Sequence, residues 1–300
     1  MANDYYFRQW SIVWGGQTLI EPTDGQDFKM TFKILHDSGG YVSYCDLSLY
    51  NLSTSTMGGL SKKNQPISLI AGYLGLNGQL GSNPYTGEIF TGKVVNFIKE
   101  RQGSDVIFRL FATGTGLKTT EPTIHKTLGE NTNIIEIIKT LASALNTGLE
   151  INEEDFKSDP RFSYARGYTL NGGVRTILRK LANVHNFSWT VQSNDLVVVK
   201  GNKPTSTSSS IPIISMQTGM EGIPEITERG CTVTTKLRPD LRVGRMFKIE
   251  SEFKTLNFSE IYYQNIGPNE GGGSYLLNKI EHTGDSHGNA WNTKLTGIRP

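Results

Sequence analysis

The feature that most constrains the fold is the C-terminal run of residues 237–300, in which strand-like segments are separated by strong turn signals. A Pro-Asp pair beginning at Pro239 marks the first turn, because proline presets φ and aspartate bonds its own backbone. Two later segments, residues 275–282 and 291–297, are rich in aromatic and branched side chains that suit a pleated surface. The sequence therefore predicts a β-hairpin, whose loop carries turn-forming residues, namely Gly284, Asp285, Gly288 and Asn289.

Composition favours a β-rich chain with more than one domain. The 300 residues include 33 glycines, 13 phenylalanines and 12 tyrosines, which favour a turn-rich β protein over a helical bundle. The 30 basic residues nearly balance the 28 acidic ones, for a formal net charge of +2. A protein that binds DNA by neutralising phosphates shows a clustered basic excess. The composition therefore argues against a dedicated nucleic-acid surface.

Neither a membrane span nor a disulfide framework is expected. No apolar run approaches the roughly 18 residues that a spanning helix needs, and the first residues lack the basic-then-apolar order of a signal peptide. Cys45 and Cys231 lie far apart in the chain. We expect buried free thiols in a protein assembled in the cytoplasm, with a single Cys45–Cys231 bridge as the alternative.

The N-terminal region, residues 1–116, has the periodicity of strands. In residues 28–34 four apolar side chains alternate with lysine and threonine, which predicts a strand with one buried and one wet face. The polar residues 53–65 are predicted to form a loop. Further strands are predicted at residues 5–14, 45–49, 66–73, 89–100 and 105–112.

The last two of these strands correspond to the C-terminal hairpin at a constant offset of 185 residues (275 − 90). Each matched pair keeps its type: aromatic, branched aliphatic, turn glycine and aliphatic. Two unrelated hairpins would also share period and turn chemistry, so generic hairpin similarity and two related β-barrels both stay open. The pairs are Phe90 with Tyr275, Val95 with Ile280, Gly103 with Gly288, and Leu110 with Leu295.

Residues 117–200 have a helical pattern. Asn133 followed three residues later by Glu136 is typical of a helix N-terminus, and apolar residues at helical spacing extend that helix towards Gly148. A second helix is predicted after residues 171–173, followed by a β-hairpin. This region is therefore predicted to be an inserted small α+β domain.

A Ser- and Thr-rich segment, residues 201–212, follows the inserted domain and is predicted to be a flexible linker. It leads into the C-terminal region, residues 213–300. The fold class predicted from these regions is β-dominated α+β, with two antiparallel β-barrels flanking the inserted domain.

The sequence of the C-terminal region resembles the last domain of phage baseplate hub proteins, the adaptors between tail tube and spike. The shared pattern is a strand, a P-x-L-x-x-G turn, a second strand, and a hairpin that ends in W-x-T-x-L. In this chain the matching positions are Pro239, Leu241, Gly244, Tyr275, Lys279, Ile280, His282, Gly284, Asp285, Trp291, Thr293 and Leu295.

The resemblance implies a homotrimer in the phage tail baseplate, assembled in the host cytoplasm. Two tube-like barrels per chain would give three chains six equivalent positions, which suits a sixfold tail tube and a threefold spike. The implied partners are the tail tube protein, the spike protein, the tape measure protein and other baseplate proteins. DNA would pass through a polar channel without specific binding, and no membrane insertion is implied. A type VI secretion spike component would share the same fold.

No catalytic constellation, cofactor or metal site is predicted. The sequence lacks a G-x-S-x-G elbow and a phosphate-binding loop. His282, Asp285 and His287 have donor types that suit zinc, but a tight site needs a fourth ligand and supporting hydrogen bonds. Solvated turn residues are therefore the expected reading of that loop.

The alternative function is a tail protein that binds glycans or degrades cell walls. Aromatic side chains such as Trp10, Trp14 and Tyr262 would stack on sugars if they were exposed, whereas burial in a barrel core is the competing interpretation.

Overall fold

A computed structural model describes residues 6–14, 17–20, 28–60, 63–74, 86–114, 122–157, 162–206, 211–258 and 273–300. Of the described residues, 59% lie in strands and 16% in helices, which confirms the β-dominated fold class. Tyr262 and part of the linker, residues 207–210, lie outside the described residues.

The N-terminal region contains eight strands and one short helix among its described residues. Residues 53–65 were predicted to be a loop, but α1 forms there because Ser53 Oγ accepts a hydrogen bond from Thr56 N (3.1 Å) and Met57 is buried in the core. The elements are β1 (Tyr6–Trp14), β2 (Gln17–Ile20), β3 (Met30–Asp37), β4 (Gly39–Val42), β5 (Tyr44–Tyr50), α1 (Thr54–Leu60), β6 (Pro66–Leu74), β7 (Thr86–Gln102) and β8 (Asp105–Gly114).

The middle region has both predicted helices. Asn133 caps the first by accepting a hydrogen bond from Ile135 N, but the helix ends at Asn146, which adopts φ 60°, rather than at Gly148. The elements are β9 (Thr123–Leu128), β10 (Thr132–Asn133), α2 (Ile134–Leu145), β11 (Gly148–Ile151), α3 (Glu154–Lys157), β12 (Ser163–Tyr164), β13 (Tyr168–Gly173), α4 (Val174–His185), β14 (Phe187–Gln192) and β15 (Asp195–Lys200).

The C-terminal region is made of strands. The predicted hairpin forms from two long strands joined through Ser286–Ala290. The elements are β16 (Ile213–Ile214), β17 (Met220–Thr227), β18 (Gly230–Lys236), β19 (Met246–Ile249), β20 (Thr255–Asn257), β21 (Gly273–Asp285) and β22 (Trp291–Ile298).

The same strand order occurs twice in one 14-stranded sheet. In the N-terminal repeat, the hydrogen-bonded order is β1-β6-β7-β8-β5-β3. In the C-terminal repeat, it is β16-β19-β21-β22-β18-β17. When the six strands of each repeat are numbered as they follow one another in the sequence, the two hydrogen-bonded orders are the same. Only the outermost pair differs, because β1 and β6 are antiparallel whereas β16 and β19 are parallel.

The two repeats join through β3 of the first and β21 of the second, which pair antiparallel. Among the described residues, the pairings close neither repeat into a barrel, so the two-barrel detail stays a prediction.

The inserted region has its own core beneath α2 and α4. Its small sheet has the order β11-β15-β14-β4, and therefore contains one strand from the N-terminal region. Gly40 in β4 adopts φ +77° and lies against the Trp189 ring. Two further cores belong to the two repeats, and Leu237 and Trp291 of the C-terminal region are buried in the core of the N-terminal repeat.

Candidate functional site

The junction, defined as the pairing of β3 with β21, fixes the two repeats to each other. Its ladder runs over seven residue pairs, from Lys279 with Asp37 to Asp285 with Thr31. A Cβ atom at Gly284 would overlap the Phe32 ring, so glycine allows the strands to approach closely. On the wet face Lys33 and Glu281 form an ion pair of 2.9 Å.

Two histidines lie buried side by side at the junction. His36 and His282 are each 1% exposed, and their rings pack edge to face with centroids 5.9 Å apart. Burial lowers the pKa of His36 to about 4 and holds the pKa of His282 well below its ordinary value. Both rings are therefore neutral at physiological pH.

Hydrogen bonds from the histidines extend to three other parts of the chain. His36 Nδ1 lies 2.7 Å from Ser43 Oγ, and Nε2 lies 3.0 Å from the Ile89 carbonyl. Ser43 Oγ in turn donates to the Val191 carbonyl of the inserted region. His282 Nδ1 lies 2.8 Å from Thr293 Oγ1. The junction thus ties both repeats and the inserted region together.

The ladders define which residues of the two repeats are equivalent. Leu110 pairs with Phe97, and Leu295 pairs with Ile280. The second strand of each hairpin therefore keeps the predicted offset of 185 (295 − 110), but the first strand has an offset of 183 (280 − 97). The reason is that four residues separate the bonded residues Asp285 and Ala290 after β21, whereas two separate the paired residues Gln102 and Asp105 after β7. Both first strands carry a register shift at the same place, after Val94 and after Leu277.

The two cysteines occupy equivalent positions in the repeats. Cys45 pairs with Ile34 and Ala112, and Cys231 pairs with Ile226 and Gly297. Both are free and buried, which confirms the predicted free thiols. Burial raises the pKa of Cys231 to about 12 and raises the pKa of Cys45 further, so neither is a reactive thiolate.

The other predicted signature residues have separate structural roles. Pro239 packs against the backbone of Gly87, and Gly244 adopts φ +85° where Thr205 leaves no space for a Cβ. Gly103 adopts φ +61° in the β7–β8 turn, and Asp285 Oδ1 accepts hydrogen bonds from the backbone of the β21–β22 loop, including Gly288 N (2.9 Å). Most of the apolar ones are buried, namely Phe90, Leu110, Tyr275, Ile280, Trp291 and Leu295.

Val95 is the exception, because it is 45% exposed. It lies in the open edge, defined as residues 95–102 of β7, whose described pairing is with β8 alone. Seven of these eight residues are exposed and Phe97 is half-buried. Ile98 is 39% exposed.

The equivalent stretch of the C-terminal repeat is covered. Residues 278–285 of β21 are all buried or half-buried, because β3 pairs along residues 279–285. One repeat thus has a partner strand at this edge, and in the described residues of the other repeat the same edge has none. Sequence reasoning missed this difference, because both stretches have strand periodicity.

A charged cluster holds the inserted region to the C-terminal repeat. Glu150 accepts hydrogen bonds from Arg245 Nε (3.0 Å) and Thr205 Oγ1 (2.9 Å), and lies 3.3 Å from Arg242. Burial alone would raise the pKa of Glu150, but these partners hold it below its ordinary value. Thr205 is 5% exposed, so the segment predicted to be a flexible linker is anchored at this residue.

The proposed metal donors are not assembled into a site. His282 lies in the core, whereas His287 is exposed in the loop and its backbone N–H donates to Asp285. Within the part of the chain that the structure describes, no group of three or more His, Cys, Asp or Glu is placed to hold a metal.

Of the aromatic residues behind the glycan-binding alternative, the two that the structure describes, Trp10 and Trp14, are not available for stacking. Trp10 and Trp14 are 3% and 5% exposed and belong to the core of the N-terminal repeat. Among the described helices, none is long and apolar enough to cross a bilayer.

Comparisons with solved structures identify the fold. The 43 kDa tail protein of prophage MuSo2 from Shewanella oneidensis superposes with a TM-score of 0.61 at 9% identity, covering 98% of each chain. A tail protein from Neisseria meningitidis MC58 gives 0.59 at 10% identity, covering 98% of this chain and 97% of that chain. A type VI secretion component from E. coli, described as similar to the T4 tail proteins gp27 and gp5, gives 0.54 at 10% identity, covering 96% and 76%.

Sequence comparison identifies the family. No curated protein sequence matches the chain. The sequence profile of the family described as "Baseplate hub gp41" matches residues 44–260, which is more than two thirds of the 300 residues. The chain therefore belongs to the baseplate hub gp41 family of phage tail proteins.

Proposed function

We propose that the protein is a non-enzymatic structural hub, in which three copies form a ring that joins a sixfold tail tube to a threefold spike. The observation that carries this proposal is the repeated strand order, with one edge covered in the C-terminal repeat and exposed in the N-terminal repeat. Three chains with two repeats each supply six equivalent positions.

The open edge supports a contact between copies. At the junction, β21 is covered by β3, the outermost strand of the N-terminal repeat. By the same geometry, the open edge of β7 would be covered by the outermost strand of another copy's C-terminal repeat, β17. Such a contact uses different surfaces on the two copies, so it repeats head to tail, and a rotation that returns to the first copy after three copies closes the ring. An unpaired strand edge with exposed Val95 and Ile98 is the kind of surface that pairs with another chain.

The wet face of the sheet suits the wall of a channel. Several of its charges are paired with opposite charges, as for Lys33 with Glu281 and for Arg109 with Asp46. Such pairs reduce the positive charge that would retain DNA. We therefore propose that DNA and the tape measure protein pass along this face without specific binding, within a virion baseplate assembled in the host cytoplasm.

The repeats are proposed to act as tube-like units, residues 1–116 and 213–300, with residues 117–200 as an inserted domain. The inserted domain, which has no counterpart in the second repeat, would break the sixfold symmetry to threefold. The tube, the spike and other baseplate proteins would dock on the two faces of the ring.

Molar-mass measurement by light scattering tests the ring. The wild type is expected to give the mass of three chains, alone or with its tube and spike proteins. A Val95→Asp/Ile98→Asp variant should weaken association by about tenfold, because it removes apolar contact at the edge and places negative charge beside Glu225, the counterpart in β17 of Lys33 at the junction. Val184→Asp, at a 74% exposed site on α4, is the matched control.

Two outcomes would contradict the proposal. One is a wild type that stays a single chain even with its partners, and the other is a double variant that associates as tightly as the control.

A further inference from the structure

The C-terminal repeat carries an extra strand, β20, that lies outside the repeated order. It is part of residues 250–272, which connect β19 to β21, whereas only residues 75–85 connect the equivalent strands β6 and β7. β20 pairs with β17 in parallel, with Glu225 opposite Thr255 and Thr227 opposite Asn257.

β20 occupies the edge to which another copy would bind. Ile34 of β3 and Ile226 of β17 are equivalent, because they face the equivalent cysteines. On its other side, Ile34 faces His282 of β21 at the junction. Ile226 faces Leu256 of β20 instead. The edge of β3 that joins the two repeats thus has a counterpart in β17, and in the single chain β20 already pairs with that counterpart.

The hold of β20 on this edge is slight, consisting of a short ladder and one exposed side-chain hydrogen bond, from Asn257 Nδ2 to Glu225 Oε1 (2.9 Å). Its ladder has three residue pairs in parallel, whereas the junction has seven in antiparallel, and parallel pairing is the weaker of the two per residue. Thr255 and Asn257 are exposed and Leu256 is half-buried. The next residue, Phe258, is buried in the C-terminal core, so strand exchange would involve the three residues of β20 alone.

The rest of the β17 edge is irregular in the single chain. Gly222 adopts φ +76°, and the β17 register shifts between Glu221 and Glu225. Ile223 and Phe253, which flank the short ladder, are 59% and 64% exposed. Irregular strands and short covering segments are the means by which proteins keep an edge from pairing too early.

We infer that β20 is a guard strand that covers the β17 edge in the single chain and yields it to β7 of a second copy during assembly. This inference rests on the proposed ring. The exchange replaces a three-residue parallel ladder with an antiparallel one as long as the junction, so it is favoured only when the incoming strand is present. Assembly is then limited to a partner that offers the complete open edge.

A reversible lock tests the guard strand. Glu225→Cys/Thr255→Cys places two thiols at directly opposed, exposed positions of β17 and β20, where a disulfide fits the spacing of paired strands. The native cysteines are buried and free, and the single variant Glu225→Cys serves as the control. The oxidised double variant should remain a single chain by light scattering, and reduction should restore the ring.

The result that overturns the guard is an oxidised double variant that forms the ring as readily as its reduced form. If the wild type forms no ring with its tube and spike proteins, the proposed function itself fails. If the wild type forms the ring and the oxidised double variant forms it equally well, the guard-strand inference is wrong and the proposed function is not affected.

A second variant tests the guard strand independently if the reduced double variant does not assemble. Leu256→Ser loosens the guard strand, because it removes the half-buried apolar contact of β20. It should lower the protein concentration at which the ring forms by about fivefold. An unchanged or higher concentration would count against the guard.

Discussion

The buried histidines at the junction predict that stability falls as the medium becomes acidic. The pKa of His36 is lowered to about 4, chiefly by burial and also by the charge of Arg242, whereas the unfolded chain has an ordinary histidine pKa near 6.5. Between pH 6.5 and 4, His36 is therefore protonated in the unfolded state and neutral in the folded state. The stabilisation is fully present above pH 6.5 and is lost as pH falls towards 4.

The magnitude follows from the difference between the two pKa values. One pKa unit corresponds to about 1.36 kcal/mol, so at pH 5 His36 alone lowers the free energy of unfolding by about 2 kcal/mol. Near pH 4 the loss reaches about 3 kcal/mol and then levels off, because the folded state also binds the proton. His282, whose pKa is lowered too, adds to the loss in the same direction.

The assay is urea unfolding from pH 7.5 to 4.5 for the wild type, His36→Gln and His287→Gln. Glutamine does not titrate, so the stability advantage of the wild type over His36→Gln should shrink by about 2 kcal/mol between pH 7.5 and 5. His287 is exposed, and its variant should follow the wild type at every pH. Parallel profiles for wild type and His36→Gln would refute the reasoning.

Two substitutions test the contacts that hold the regions together. Gly284→Ala should destabilise the protein by about 1–3 kcal/mol, because the added methyl group overlaps the Phe32 ring; Gly58→Ala in α1, where the space is open, should be neutral or slightly stabilising in the same thermal unfolding assay. Glu150→Ala should cost about 2 kcal/mol, because it leaves Arg245 without this carboxylate and leaves Arg242 with Asp195 alone (3.4 Å), whereas Glu154→Ala at an exposed ion pair should change the melting temperature little.

Local features were predictable because their signals are local. The alternation of residues 28–34 predicted β3, and the cap at Asn133 predicted α2. The partner of each strand could not be predicted in this way, because period and turn chemistry do not specify which distant edge a strand joins. β3 pairs with β21, and β4 joins the inserted region. Both depend on contacts between residues far apart in the sequence.

The predicted offset of 185 residues between the two hairpins is wrong for their first strands, and the cause is the length of a loop. Two extra residues in the loop after β21 change the offset of the first strand from 185 to 183, so Val95 aligns with the register shift rather than with buried Ile280. The sequence alone cannot place such an insertion, since glycine and asparagine suit either loop length.

The two equivalent stretches have diverged in a way that fits their different exposure. The permanently covered stretch contains His282, buried and neutral, and Gly284, packed on Phe32. The open edge carries Lys99, Glu100 and Arg101 instead. Charged side chains keep an unpaired strand soluble, and the long stems of lysine and arginine can pack on a partner while their charged ends stay in water. A strand that must stay separate until its partner arrives needs such charges, whereas a strand that pairs within its own chain needs the close fit that glycine allows.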